Sequence, residues 1–253
     1  MKLELRRVAA PSGEIAYLDY EPRRPRGVTL VFGHGYSSSK HNLDFLCGFL
    51  ASHGFGVLSL DFPGHKLGAS SGRLRSIDDL TGAMLAVVHE ARARYDGPVY
   101  TAGHSMGAMT ALRTCAADAT IAGAISIATG YGRPAALEAL RGKLTVDLRS
   151  AYVDGLTLEE VAKQTEAVLD TALAKLAGRP VLYVAADRDL MISRRSAEEL
   201  FERAPEPKSF VTISSDHTYA GEHARSAVLA WLNERYPRER RAEASEVEGL
   251  AAL

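Results

Sequence analysis

The sequence predicts an α/β protein: a mostly parallel, eight-stranded sheet flanked by helices. Three observations carry this expectation. Strand-like runs and segments of helical period alternate along the chain, which calls for crossover connections and therefore parallel pairing. Several runs, such as Val28-Thr29-Leu30-Val31-Phe32 and Gly56-Val57-Leu58-Ser59-Leu60, are almost continuously apolar, as strands covered on both faces must be. At 253 residues, 46% hydrophobic and 24% charged, the chain suits one domain with a well-buried core and an insertion.

Charge narrows the partners. Lys and Arg total 30 against 31 for Asp and Glu, so no global field favours nucleic acid or an anionic membrane surface. A small-molecule partner is expected, and nothing in the charge or the apolar pattern indicates an oligomeric state. The opening residues Met1 to Arg7 mix charge with apolar side chains and lack the apolar run of a secretory signal. No later stretch is long and apolar enough to span a bilayer, and a cytoplasmic protein is expected. Cys47 and Cys115 fall in helical segments without metal-ligand spacing and read as buried thiols.

Leu3 to Val8 and Glu14 to Tyr20 alternate with period two around the turn Pro11-Ser12-Gly13 and predict an antiparallel hairpin. A buried strand over Val28 to Phe32 leads to Gly33-His34-Gly35-Tyr36 and a helix through Leu43, Leu46 and Leu50. The strand Gly56 to Leu60 ends in Asp61-Phe62-Pro63-Gly64-His65. Ser76-Ile77-Asp78-Asp79 opens a helix whose stripe from Ile77 to Tyr95 faces the core. Strands follow at Pro98 to Ala102, Ile121 to Ala128, Val181 to Ala186 and Lys208 to Ile213. Thr157-Leu158-Glu159-Glu160 is a capping box ahead of another amphipathic run, and a last helix carries Ala224, Val228, Trp231 and Leu232 to its stop at Pro237. This divides the chain into a core over residues 1–130 and 179–236, a helical cap inserted over 131–178, and a tail or terminal helix over 237–253. Leu137, Leu140, Leu144, Val146 and Leu148 are candidate walls of a cavity under the cap.

Chemistry concentrates at Gly103-His104-Ser105-Met106-Gly107. A serine between glycines two residues away on each side, at the junction of a strand and a helix, fits a sharp turn that lifts the hydroxyl clear of the backbone. Such a turn pushes the serine toward positive φ and leaves room only for small neighbours. It also sets the Met106 amide at a helix N-terminus, where an unsatisfied N–H can receive a developing oxyanion. Two readings compete for Gly33-His34-Gly35. In one, a strand, a Gly-x-Gly turn and a helix form a dinucleotide fingerprint with Asp61 as the ribose-binding acid, although Ser38 stands where a third small residue belongs. In the other, the turn supplies a second oxyanion amide, that of Tyr36.

Ser105, Asp189 and His217 each follow a predicted strand at its carboxyl end, in the chain order nucleophile, acid, histidine. That order, with a His-Gly turn upstream and the Gly-x-Ser-x-Gly elbow between, resembles the α/β-hydrolase family over residues 1 to about 236. The resemblance implies a serine hydrolase cleaving carboxylic esters, with Ser105 as nucleophile, His217 as general base and Asp189 orienting the imidazole. The amides of Tyr36 and Met106 would form the oxyanion hole, with neither metal nor cofactor. Asp187 competes with Asp189, which is preferred because family members place this acid several residues beyond the strand, before an apolar residue such as Ile192. Asp216 reads as a loop-shaping acid, and His34 and His104 as supporting hydrogen-bond partners. The stretch Lys66-Leu67-Gly68-Ala69-Ser70 departs from the family's spacing. A serine nucleophile argues against dehalogenase and epoxide-hydrolase chemistry. Thioesterase, amidase, lactonase and perhydrolase activities share the same nucleophile, and a non-hydrolytic ligand-binding protein on the same scaffold is the alternative from another class.

Overall fold

The computed structural model describes residues 1–132 and 148–238. Eight strands form one sheet: β1 (Lys2–Ala10), β2 (Gly13–Glu21), β3 (Thr29–Gly33), β4 (Gly56–Leu60), β5 (Val99–His104), β6 (Gly123–Ile127), β7 (Val181–Ala186) and β8 (Lys208–Ile213). Their order across the sheet is β1-β2-β4-β3-β5-β6-β7-β8. β1 pairs antiparallel with β2, and β2 with β4, while every later pairing is parallel. The α/β expectation holds, with the antiparallel hairpin at one edge.

Helices cover both faces because the central strands present apolar side chains to both. Leu30 and Phe32 of β3 pack with Leu46 and Leu50 of α1 (Asp44–Ser52) and with Val228 and Trp231 of α7 (Arg225–Arg235). Val31 points the other way, into a cluster holding Met84 and Val88 of α2 (Ile77–Arg94) and Leu112 of α3 (Met106–Ala117). Leu169 and Leu173 of α4 (Leu158–Ala174) and Leu200 of α5 (Arg194–Arg203) join that second cluster. A short helix, α6 (Ala220–His223), precedes α7. Each side chain so buried contributes on the order of 1.5–3 kcal/mol relative to its exposed state. The capping boxes anticipated at Ser76 and Thr157 are both formed, each side-chain oxygen accepting an amide hydrogen bond in the first helical turn.

The edge hairpin orients its side chains by charge as much as by apolar character. Leu3 and Leu5 are exposed, whereas Glu4 and Arg6 occupy the half-buried positions of β1. The reason is Asp19 on β2, which is buried and accepts hydrogen bonds from Arg6, Arg94 and the Tyr95 hydroxyl. A buried carboxylate without these donors would cost several kcal/mol, so pairing sets the register. Cys47 and Cys115 are free and buried, and burial pushes the Cys115 thiol up to about 11. Among the described residues no helix is long and apolar enough to cross a membrane.

Candidate active site

β5 is central and runs straight into α3 through Ser105, which adopts φ 55° and ψ −118°. A non-glycine residue held there costs on the order of 1–3 kcal/mol, so the surroundings must enforce it. They do so by close approach. A Cβ placed on Gly103 would lie 2.3 Å from the backbone of Gly107, and one on Gly107 would lie 2.1 Å from the Gly33 carbonyl oxygen. The small residues flanking the serine let β5, α3 and the end of β3 meet. The Ser105 amide is tied to the neighbouring strand through the Ile127 carbonyl at 2.9 Å.

The structure brings all three predicted side chains together. His217 Nε2 lies 3.0 Å from Ser105 Oγ. On the far side of the ring, Nδ1 lies 2.7 Å from Asp189 Oδ2. The Asp189 carboxylate is held in turn, because Oδ1 accepts the amides of Met191 and Ile192, both at 2.8 Å. Asp187 is occupied elsewhere, accepting the Ser215 amide at 3.0 Å, and does not face His217. Asp216 accepts the Tyr219 amide at 3.0 Å and shapes the histidine loop.

Two further histidines brace this arrangement. His104 Nε2 donates to the His217 carbonyl at 2.7 Å, so the residue before the serine fixes the loop that carries the imidazole. Burial, and then the nearby His217 ring, push the pKa of His104 down to about 4. His34 donates from Nδ1 to the Gly35 carbonyl and accepts the Phe62 amide at Nε2, at 2.8 and 3.0 Å, linking the loops that follow β3 and β4. Gly35 lies directly against His104 and Ser105, since a Cβ there would be 3.3 Å from His104 Nδ1. The His-Gly turn, with Tyr36 next in line, therefore borders the serine.

Lys40 is a residue that the sequence reading passed over. Its ammonium lies 2.6 Å from Asp61 Oδ2, and both side chains are almost fully buried. The Lys40 amide donates to Asp61 Oδ1 at 2.8 Å and the Ala69 amide to Oδ2 at 2.7 Å. Burial alone would raise the pKa of Asp61, but these hydrogen bonds hold it below its usual value. With its oxygens so engaged inside the protein, Asp61 has no face to offer a ribose, and the dinucleotide reading of Gly33 and Gly35 is set aside. The same contacts explain the unusual stretch after His65: Gly68 packs on the Asp61 carboxylate, and Ser70 Oγ donates to the Asp61 carbonyl at 2.8 Å.

A cavity of about 380 Å³ opens beside Ser105 and His217. It is bordered by the turn after β3, by Met191 and Ile192, and by Arg149 and Leu158 from the 131–178 segment. A smaller space of about 80 Å³ lies between α3 and α4 and also reaches Ser105, with Met109, Val161 and Leu169 among its walls. Of the anticipated wall residues, Leu148 is exposed and borders neither space. Leu137, Leu140, Leu144 and Val146 lie outside the described residues.

His65 yields a prediction for pH. The ring is 2% exposed, its Nε2 has no partner among the described residues, and burial pushes its pKa down to about 4. Above about pH 6.5 the imidazole is neutral whether folded or unfolded and costs nothing. As pH falls from there towards 4, the unfolded chain binds a proton that the folded chain refuses, so stability drops by roughly 3 kcal/mol from this group. Urea unfolding across that range should show the fall, with His65→Asn flattening the slope by about one proton. An unchanged slope would contradict the assignment.

An eight-stranded, mostly parallel sheet with a strained serine at the end of its central strand, faced by a histidine from beyond the last strand, has the α/β-hydrolase architecture. The chain belongs to the alpha/beta hydrolase family, whose model matches residues 30–243. Solved structures share the fold at low identity. Est1E from Butyrivibrio proteoclasticus with bound ferulic acid is 20% identical, with TM-score 0.70 over 90% of this chain and 98% of its own. An esterase domain of a Rhodothermus marinus protein is 21% identical, with TM-score 0.69 over 93% and 99%. A thioesterase domain from the curacin biosynthetic pathway is 16% identical, with TM-score 0.67 over 92% and 99%. No curated protein sequence matches the chain.

Proposed function

We propose that the protein is a serine hydrolase cleaving small-molecule carboxylic esters through an acyl-enzyme on Ser105. The observation that carries this reading is the continuous chain from Ser105 Oγ to His217 Nε2 at 3.0 Å and from His217 Nδ1 to Asp189 Oδ2 at 2.7 Å. It runs along the border of a cavity large enough for a small organic molecule.

In this mechanism His217 removes the Ser105 proton as the oxygen attacks the acyl carbon, then passes that proton to the departing alkoxide. Water enters, loses a proton to the same ring and releases the carboxylic acid, restoring the serine. Asp189 keeps Nδ1 protonated and stabilises the imidazolium. The amides of Tyr36 and Met106 receive the oxyanion, each donor lowering the barrier by a few kcal/mol. The Met106 amide suits this role because the first N–H groups of a helix lack partners within it. The 131–178 segment serves as a cap, which is supported by Arg149 and Leu158 at the cavity wall. The cytoplasm is the proposed location.

The test is turnover of 4-nitrophenyl acetate, butyrate and octanoate beside matched thioesters. The expected outcome is saturable release of nitrophenol from at least one ester, with a stoichiometric burst where deacylation is slow. Turnover of the thioesters alone would replace the ester assignment, and no turnover of any member would refute the hydrolase reading.

A further inference from the structure

The larger cavity has an uneven charge. Among the described residues its lining holds no carboxylate, and Arg149 is the only permanently charged residue. Neither His34 nor His104 adds to that charge at neutral pH: burial holds His34 far below the usual imidazole value, and burial followed by the nearby His217 ring does the same for His104. Arg149 is exposed and its side chain is held by one hydrogen bond. Its Nη1 donates to Ser37 Oγ at 3.2 Å, and Ser37 is buried and held at φ 55° directly after Tyr36. Among the described residues the only hydrogen-bond partner of the Arg149 side chain is Ser37, although a guanidinium carries five N–H donors in a planar fork suited to a carboxylate.

We infer that the cavity accepts esters bearing a second, anionic group, and that Arg149 binds the carboxylate of such a substrate while Ser105 attacks its ester carbonyl. The inference rests on the hydrolase reading above and narrows its substrate class to half-esters of dicarboxylic acids or esters of hydroxy acids. The two share one recognition element, and the position of the charge separates them. The reaction is unchanged: water adds across the acyl–oxygen bond, and the distal carboxylate keeps its charge throughout. Asn42, Ser38 and Thr218 add neutral hydrogen-bonding groups to the same wall without opposing the charge.

Charge-assisted hydrogen bonds of this kind contribute enough to change affinity by roughly 10- to 100-fold. Two matched pairs of esters test the point. In the first, 4-nitrophenyl hemiadipate is compared with 4-nitrophenyl hexanoate, so that the charge sits on the acyl side. In the second, 4-acetoxybenzoate is compared with its methyl ester, so that the charge sits on the alcohol side. The wild type should favour the charged member of one pair through a lower KM, and the pair identifies the side. Arg149→Gln should cut the charged-to-neutral ratio of kcat/KM for that pair by roughly 10- to 100-fold, Arg149→Lys should recover part of it, and added salt should compress it.

Binding of monoethyl adipate to Ser105→Ala, measured by calorimetry with and without Arg149→Gln, separates the two readings. If the wild type hydrolyses none of the four esters while Ser105→Ala binds monoethyl adipate through Arg149, the hydrolase reading fails and the anion subsite stands. If hydrolysis is robust but neither the ratio nor the binding depends on Arg149, the subsite is overturned and the hydrolase stands. An equal loss for both members of each pair would also overturn it, because Arg149 would then act only by steadying Ser37.

Discussion

Ser105→Ala is expected to lower kcat on the best ester about a millionfold, with KM nearly unmoved, because the nucleophile interacts differently with substrate only as the new bond forms. The fold should survive the change: among the described residues the serine hydroxyl hydrogen-bonds only to His217, and the backbone bond to Ile127 does not involve it. Asp189→Asn should cost about 10⁴-fold, since an amide in place of the carboxylate removes the acceptor that keeps Nδ1 protonated. Single-turnover kinetics with both variants check the pair. A Ser105→Ala protein retaining more than about a hundredth of wild-type kcat would show that another group attacks the carbonyl.

The second large effect falls on stability. Lys40→Met leaves the Asp61 carboxylate inside the protein without its counter-charge, and removing one partner of a buried pair costs roughly 3–5 kcal/mol. Asp61 would retain the amides of Lys40 and Ala69, but two neutral donors do not replace an ammonium at 2.6 Å. Urea unfolding should show a lower midpoint at constant slope. The double variant Lys40→Met with Asp61→Asn should regain a substantial part of the loss, because no charge is then stranded. Activity should fall together with stability in the single variant, since the same pair joins the turn bearing Tyr36 to the loop after β4. A loss below about 1 kcal/mol would contradict the pairing argument.

The sheet was legible because its strands announce themselves in two different ways. Val28 to Phe32 is apolar but for Thr29 and proves to be covered on both faces, whereas Glu14 to Tyr20 alternates and proves to be part of an antiparallel hairpin. The serine elbow was legible because only glycine fits where Gly103 meets Gly107 and Gly107 meets the end of β3. The preference for Asp189 over Asp187 came from the family resemblance, and Asp189 is the carboxylate that faces His217, held there by the amides of Met191 and Ile192. Lys40 carried no signal at all. It follows a run of serines like many exposed lysines, and only the crossover from β3 to β4 carries it onto Asp61. Which face of β1 turns inward was not part of the sequence reading: Leu3 and Leu5 point outward because the buried Asp19 carboxylate draws Arg6 to the other face.

The proposed hydrolysis depends on Ser105 being made reactive by His217. Labelling of the intact protein with a fluorophosphonate, followed by peptide mass spectrometry, measures this directly. The prediction is one adduct per chain, on Ser105, formed far more slowly in His217→Ala. An adduct on a different residue with Ser105 untouched, or labelling as fast without His217, would contradict it.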